Sequence, residues 1–241
     1  MHDEPCRLLS WDSDFFGFPI AAVRLERLED PSMTAIDTWC EARGVRCLYY
    51  ECNAADQDSI RRAGRGGFEV VDVRLLFTGR SHAMPADGPA ALRDATAADV
   101  PALRAIASES HRDSRFFADP RFSAERAAEL FATWIGNAVA GHVDRVIVAD
   151  HGGEVAGYSA LRKQPGGRGR IDLFAVAPWH RRQGIGRQMI RASCAWLAEQ
   201  GVPTIFAATQ ARNASAHRAY QRCGLALGGV WLYYHKWYLP R

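Results

Sequence analysis

Arg181-Arg182-Gln183-Gly184-Ile185-Gly186 is the run in this 241-residue chain whose residue types and spacing point most directly to chemistry. It follows a short apolar strand, Ile171 to Val176, closed by Ala177-Pro178-Trp179-His180. It opens an amphipathic helix expected over about 187–200, with Met189, Ile190, Cys194 and Leu197 at the apolar positions. Glycines at 184 and 186 let backbone N–H groups converge on a ligand, because no Cβ blocks the approach. Those N–H groups sit at a helix N-terminus, where their partial positive charge suits phosphate or pyrophosphate. The competing reading is a solvated, Arg-rich turn with a glycine needed for packing.

Two common phosphate loops do not fit. A P-loop requires Gly-Lys-Ser or Gly-Lys-Thr, whereas Gly186 is followed by Arg187-Gln188. A dinucleotide fingerprint requires a third glycine or alanine where this chain has Met189. A second constellation lies downstream, in Asn213-Ala214-Ser215-Ala216-His217-Arg218-Ala219-Tyr220-Gln221-Arg222-Cys223-Gly224, after the strand Thr204 to Thr209. At 3.6 residues per turn Asn213, Ala216 and Tyr220 share one helix face. Gly224 suits the left-handed residue that ends a helix. Taken singly, Asn213 reads equally well as a plain N-cap and Tyr220 as an amphipathic core residue.

Val176-Ala177-Pro178 with Arg181 through Gly186, followed by Asn213 and Tyr220 in that order, resembles the GNAT superfamily of acyl-CoA-dependent N-acyltransferases. The resemblance implies that Arg181, Arg182, Gln183, Gly184, Ile185 and Gly186 hold the pyrophosphate of acetyl-CoA. It also implies that Asn213 contacts the pantetheine arm and that Tyr220 stands near the thioester sulfur. In that superfamily the strand ending at Val176 splays from the next one, so Phe174 and Val176 are assigned the main-chain contacts to pantetheine. An amine must then be neutral to attack the thioester, and a thiolate must leave. A thiol titrates at about 8.5 and a phenol at about 10, so Tyr220 can stay protonated and donate to the departing sulfur. Backbone N–H groups on the strand can stabilise the oxyanion, and no metal is required.

The rest of the chain must position these groups. Hydrophobic content of 48% and charged content of 24% are ordinary globular values. A net charge of +3 is too small to argue for nucleic acid, and the Arg-rich stretch from Arg162 to Arg187 reads as a local phosphate footprint. The six cysteines lack paired C-x-x-C spacing, and the N-terminus lacks an apolar run. Free thiols, no export signal and no membrane partner are therefore expected, with a cytoplasmic location. Residues 79–89 lack periodicity and are rich in turn formers, so the chain divides into 1–80, a linker over 81–89, and 90–241. The second part reads as strand, two helices, strands, helix, strand, helix, strand, the order of a complete GNAT domain. Residues 1–80 alternate strand-like pieces (21–25, 45–51, 70–77) with helical ones (33–43, 56–65) and read as a diverged half-GNAT domain. The fold class expected is α/β with a mixed (α+β) sheet.

Leu9-Ser10-Trp11-Asp12-Ser13-Asp14-Phe15-Phe16-Gly17, Ser114-Arg115-Phe116, the run Phe131 to Val139 and Trp231-Leu232-Tyr233 resemble a narrower group. These are the sugar-nucleotide acetyltransferases related to dTDP-fucosamine acetyltransferase, which acetylate a 4-amino sugar. Arg115 can pair with a diphosphate and Phe116 or Phe117 can stack on a base. Alternatively Arg115 caps a helix and the aromatics fill an interior. The resemblance places a carboxylate near the strand after the Gly67-Phe68 pair, which makes Asp72 the candidate base, acting through water. The expected substrate is thus a small-molecule amine, a nucleotide-linked amino sugar, acetylated by direct transfer in a ternary complex. Another small amine, a protein N-terminus or a non-catalytic acyl-CoA-binding regulatory module are the alternatives. Arg112, Arg115 and Arg121 weigh against a polyamine or basic peptide. The C-terminal aromatics leave core and interface open, with a homodimer carried as an expectation.

Overall fold

The computed structural model describes residues 4–238. They form mixed α/β structure that divides into two compact units, the described residues up to Arg74 with those from Gly229 onward, and residues 75–228. Both boundaries fall inside strands, and residues 81–89 belong to the second unit.

In the first unit, β1 (Cys6–Leu8), β2 (Ile20–Val23), β3 (Cys47–Asn53) and the end of β10 (Ala226–Trp237) lie in that order. β2 and β3 are parallel, joined through α2 (Asp30–Ala42), and β3 pairs antiparallel with β10 from Trp231↔Asn53 to Trp237↔Cys47. Helix α3 (Gln57–Arg65) begins where the Asp56 carboxylate accepts from the Ser59 N–H at 3.1 Å, an N-cap. Leu28, Ile36, Leu48, Tyr50, Phe68 and Tyr234 form the core between helices and sheet. Helix α1 (Ser10–Phe16) has no periodic apolar face, and Ser13 holds it instead. Its hydroxyl donates to the Leu9 carbonyl at 2.7 Å and accepts from the Ile20 N–H at 2.9 Å. Phe15 and Phe16 are only partly buried, and Phe15 stacks on Trp11, itself 41% exposed. These rings are therefore not the core residues that their hydrophobicity suggests.

The second unit orders β9 (Thr204–Gln210), β8 (Arg168–Val176), β7 (Glu154–Gln164), β6 (Arg145–His151) and β5 (Ala91–Asp94), antiparallel throughout except β8 with β9. Strand β4 (Glu69–Arg80) leads into it. Thr96 and Asp99 close a capping box on the 3₁₀ turn Ala97–Asp99 that runs into α4 (Val100–Ser110), and the Asp99 carboxylate also accepts two hydrogen bonds from Arg93. Helix α5 (Arg115–Ala118) and α6 (Ala124–Asn137) follow, the latter capped by Ser123. Helix α7 (Ile185–Glu199) buries Ile190, Cys194 and Leu197 against Leu161, Ile171 and Ile205 of the sheet. The Leu197 methyls lie so close to Gly169 that a Cβ there would meet them at 2.4 Å. Helix α8 (Ala214–Arg222) closes the unit, and Gly224 just beyond it has φ +82°, the left-handed residue expected there.

Candidate active site

The site is built on β8. Its register with β7 shifts between Ala160 and Leu161: Leu161 pairs with Ile171 and Ala160 with Leu173, so Asp172 is the extra residue of a bulge. On its other side β8 pairs with β9 only from Arg168↔Thr204 to Ile171↔Ala207. Beyond that point the two parallel strands part, and the stretch through Phe174 and Val176 has no β9 partner among the described residues. The backbone of that stretch is therefore unpaired on its β9 side.

Past Val176 one turn of 3₁₀ helix, Pro178–His180, leads to the glycine loop. Arg181 folds back, its Nε donating to the Val176 carbonyl at 3.1 Å. Arg182 has φ +64°, the one positive-φ residue other than glycine among the described residues, which costs roughly 1–2 kcal/mol. Gly184, φ +90° and ψ −11°, is the N-cap of α7, a conformation that favours glycine. Gly186 is different. A Cβ there would meet Val176 and Phe174 side chains at 3.5 and 3.8 Å, ordinary contact, so packing does not demand a glycine. The first turn of α7 carries no acidic side chain, which keeps its N-terminal partial charge uncompensated. Gln188 anchors the helix from behind, with its side-chain amide donating to the Ala90 carbonyl at 2.8 Å and accepting from the Ala90 N–H at 3.1 Å.

The broader basic footprint expected over 162–187 is divided. Arg162 and Arg170 both pair with Asp172, at 2.6 and 2.7 Å, so one of these two positive charges is offset at the bulge.

Asn213 is the N-cap of α8: its Oδ1 accepts from the Ala216 N–H at 3.1 Å and the Ser215 hydroxyl at 2.9 Å. Capping leaves the amide nitrogen as the group able to donate to a ligand. Tyr220 is 3% exposed and lies with its ring centroid 6.4 Å from Phe174 and 5.5 Å from Phe77. Burial, with the nearby Cys223 thiol adding to it, pushes the phenol pKa well above its ordinary value. Tyr220 is therefore a protonated donor at neutral pH.

On the opposite face of the sheet, α5 places Arg115 over the Phe116 ring at 4.4 Å. Phe116 is 2% exposed and packs edge-on against Phe122 (5.5 Å) and Trp134 (6.2 Å). That ring is core, and the adjacent Phe117, partly exposed under Arg112 at 5.1 Å, is the better placed of the two for stacking. Arg112 pairs with Glu109 at 3.2 Å and Arg121 with Asp119 at 3.6 Å, which reduces the cationic character expected of this segment. Asp72, on β4 in the first unit, is 5% exposed. One pair was not singled out from sequence: His111, just after α4, accepts or donates at 2.8 Å from its Nε2 to the Tyr158 hydroxyl. All six cysteines are free and buried, and no helix among the described residues is long and apolar enough to cross a membrane.

Comparison with known proteins agrees with this arrangement. The acetyltransferase (GNAT) family profile matches residues 102–225. The chain is 30% identical over 232 residues to dTDP-fucosamine acetyltransferase of Escherichia coli O6:H1, covering 93% of this chain and 96% of that protein. It is 34% identical over 140 residues to the spore coat polysaccharide biosynthesis protein SpsD of Bacillus subtilis, covering 58% of this chain and 48% of that one. The fold is shared with a GCN5-related N-acetyltransferase from Sphaerobacter thermophilus, with a TM-score of 0.69 at 15% identity over 98% of this chain and 76% of the other.

Proposed function

The chain belongs to the GNAT acetyltransferase family, and on that premise we propose that it transfers the acetyl group of acetyl-CoA to the amino group of a nucleotide-linked sugar. The observation that carries the substrate class is the likeness to dTDP-fucosamine acetyltransferase over 93% of this chain.

In this reading residues 90–241 carry the acyl-transfer chemistry. The N-terminal N–H groups of α7, with Arg181, Arg182, Gln183 and Ile185, hold the pyrophosphate, and Gly184 and Gly186 let it approach. Acetyl-CoA supplies an activated thioester. Backbone groups of β8 around Phe174 and Val176 orient the acyl arm where the strands part, and an N–H there stabilises the developing oxyanion. The Asn213 amide positions the arm from α8. Tyr220, protonated at neutral pH, gives its proton to the departing sulfur and is restored by the second proton that the attacking nitrogen sheds. Asp72 takes a proton from the acceptor ammonium through water, and Arg115 pairs with the sugar-nucleotide diphosphate. Both reactants are held together, so the acetyl group passes directly to the amine with no acyl-enzyme.

The test is thiol release from acetyl-CoA with a panel of dTDP- and UDP-amino sugars beside polyamines and peptides. Turnover with an amino sugar nucleotide is expected. Turnover confined to the free amines or peptides would reject the substrate class.

A further inference from the structure

The His111–Tyr158 pair has no part in the mechanism above, yet its geometry is restrictive. Tyr158 is 0% exposed, and among the described residues the one hydrogen bond of its hydroxyl is to His111 Nε2 at 2.8 Å. If the imidazole donated from Nε2, the phenolic hydrogen would be sealed with no acceptor, at a cost of about 1–3 kcal/mol. The phenol therefore donates, Nε2 accepts, and the ring proton sits on Nδ1. The imidazole is fixed in place by stacking on Phe131, 4.4 Å between centroids and 16° between planes. Nδ1 has no hydrogen-bond partner among the described residues, and the side chain is partly exposed. Burial, with the Arg181 guanidinium adding to it, holds the imidazole pKa down at about 4, so the ring is neutral at pH 7.

The pair also has a defined position. Tyr158 lies opposite Ala175 in the β7/β8 register. Phe174 and Val176, to either side, point toward Gly186 of α7, so alternation turns Tyr158 to the other face. Where β8 and β9 part, the Tyr220 face carries the acyl donor. With that face assigned to the donor, the amine is assigned the other face of the sheet, which bears His111 and, a few residues on, Arg115.

We infer that His111 is an acceptor-recognition residue whose Nδ1–H, held in that tautomer by Tyr158, donates a hydrogen bond to an oxygen of the amine substrate. On the nucleotide-sugar reading, on which this rests for the ligand, that oxygen is a sugar hydroxyl. A neutral donor suits a hydroxyl without repelling the ammonium group beside it, which an imidazolium would do.

Two measurements test it on the full chain. Nitrogen NMR of histidine-labelled protein at pH 7 should show His111 neutral with its proton on Nδ1, and Tyr158→Phe should abolish that preference. An Nε2-protonated or cationic ring in the unaltered protein would overturn the inference without any substrate. Kinetically, with whichever amine the unaltered enzyme uses best, His111→Leu should raise the acceptor KM roughly ten-fold and leave the acetyl-CoA KM unchanged. His111→Asn, which keeps a donor near Nδ1, should recover most of that loss and serves alone if the Leu variant does not fold. An unchanged acceptor KM in folded His111→Leu, equal shifts in both KM values, or Asn no better than Leu would overturn it. Because the acceptor is chosen by turnover, failure of the sugar reading appears in the unaltered enzyme and failure of the His111 role only in the variants.

Discussion

Tyr220 and Phe174 face each other at 6.4 Å between ring centroids, one from α8 and the other from the part of β8 that has left β9. The phenol is thereby fixed beside the strand edge to which the acyl arm is assigned. Tyr220→Phe removes the proton donor and keeps the ring, so kcat should fall by on the order of 10²-fold while the acetyl-CoA KM and the melting temperature hardly move. Steady-state kinetics across pH, with thermal melts of both proteins, check this. Near-full kcat at all pH values would remove Tyr220 from the mechanism.

The two loop glycines should fail in different ways. Gly184→Ala forces a Cβ onto φ +90° and should cost about 1–2 kcal/mol of stability. Gly186→Ala meets only ordinary contacts within the protein, so stability should hold while the acetyl-CoA KM rises several-fold. Denaturant unfolding and acetyl-CoA binding on both variants separate conformational need from ligand clearance. If Gly186→Ala bound acetyl-CoA normally, the clearance argument would be wrong.

Arg115→Ala should raise the KM for the sugar nucleotide about ten-fold or more and leave that for acetyl-CoA near its original value. Equal effects on both would assign Arg115 to packing over Phe116 instead.

Much of this site was legible in the chain because its signals are local. Gly184 and Gly186 after Val176-Ala177-Pro178 mark a strand-to-helix turn, and Gly224 marks a helix end, whatever the rest of the fold does. The helices and strands of 90–241 follow apolar periodicity, and the parting of β8 from β9 follows from the resemblance. Non-local contacts were not legible. His111 and Tyr158 are 47 positions apart, and nothing in either neighbourhood announces the other. Phe116 reads from sequence as one of two rings able to stack on a base, but Phe122, just before α6, and Trp134, on it, enclose that ring. Helices α1 and α5 are too short for a periodic face, and α1 is held by a serine rather than by burial.

Acid should weaken the start of α4. The Arg93 guanidinium, aided by Thr96, holds the Asp99 carboxyl well below the usual carboxylate range. A carboxylate whose folded pKa is depressed binds fewer protons folded than unfolded. Its stabilisation is therefore complete above the unfolded value of about 4 and is lost as pH falls toward the folded one. Asp99→Asn should lower stability at pH 7 by about 1–3 kcal/mol and flatten the acid limb of the stability curve below pH 4. Urea unfolding from pH 7 downward checks both, and a variant as acid-sensitive as the unaltered protein would refute the assignment.

The central claim is that the amine is recognised as part of a nucleotide sugar, and one comparison tests it most directly. It is the kcat/KM for a dTDP- or UDP-linked amino sugar against that for the same amino sugar without its nucleotide diphosphate. Removing the nucleotide diphosphate should cost at least about 10²-fold, since the charge-assisted and stacking contacts at Arg115 and Phe117 would go with it. Equal kcat/KM for the two would contradict it.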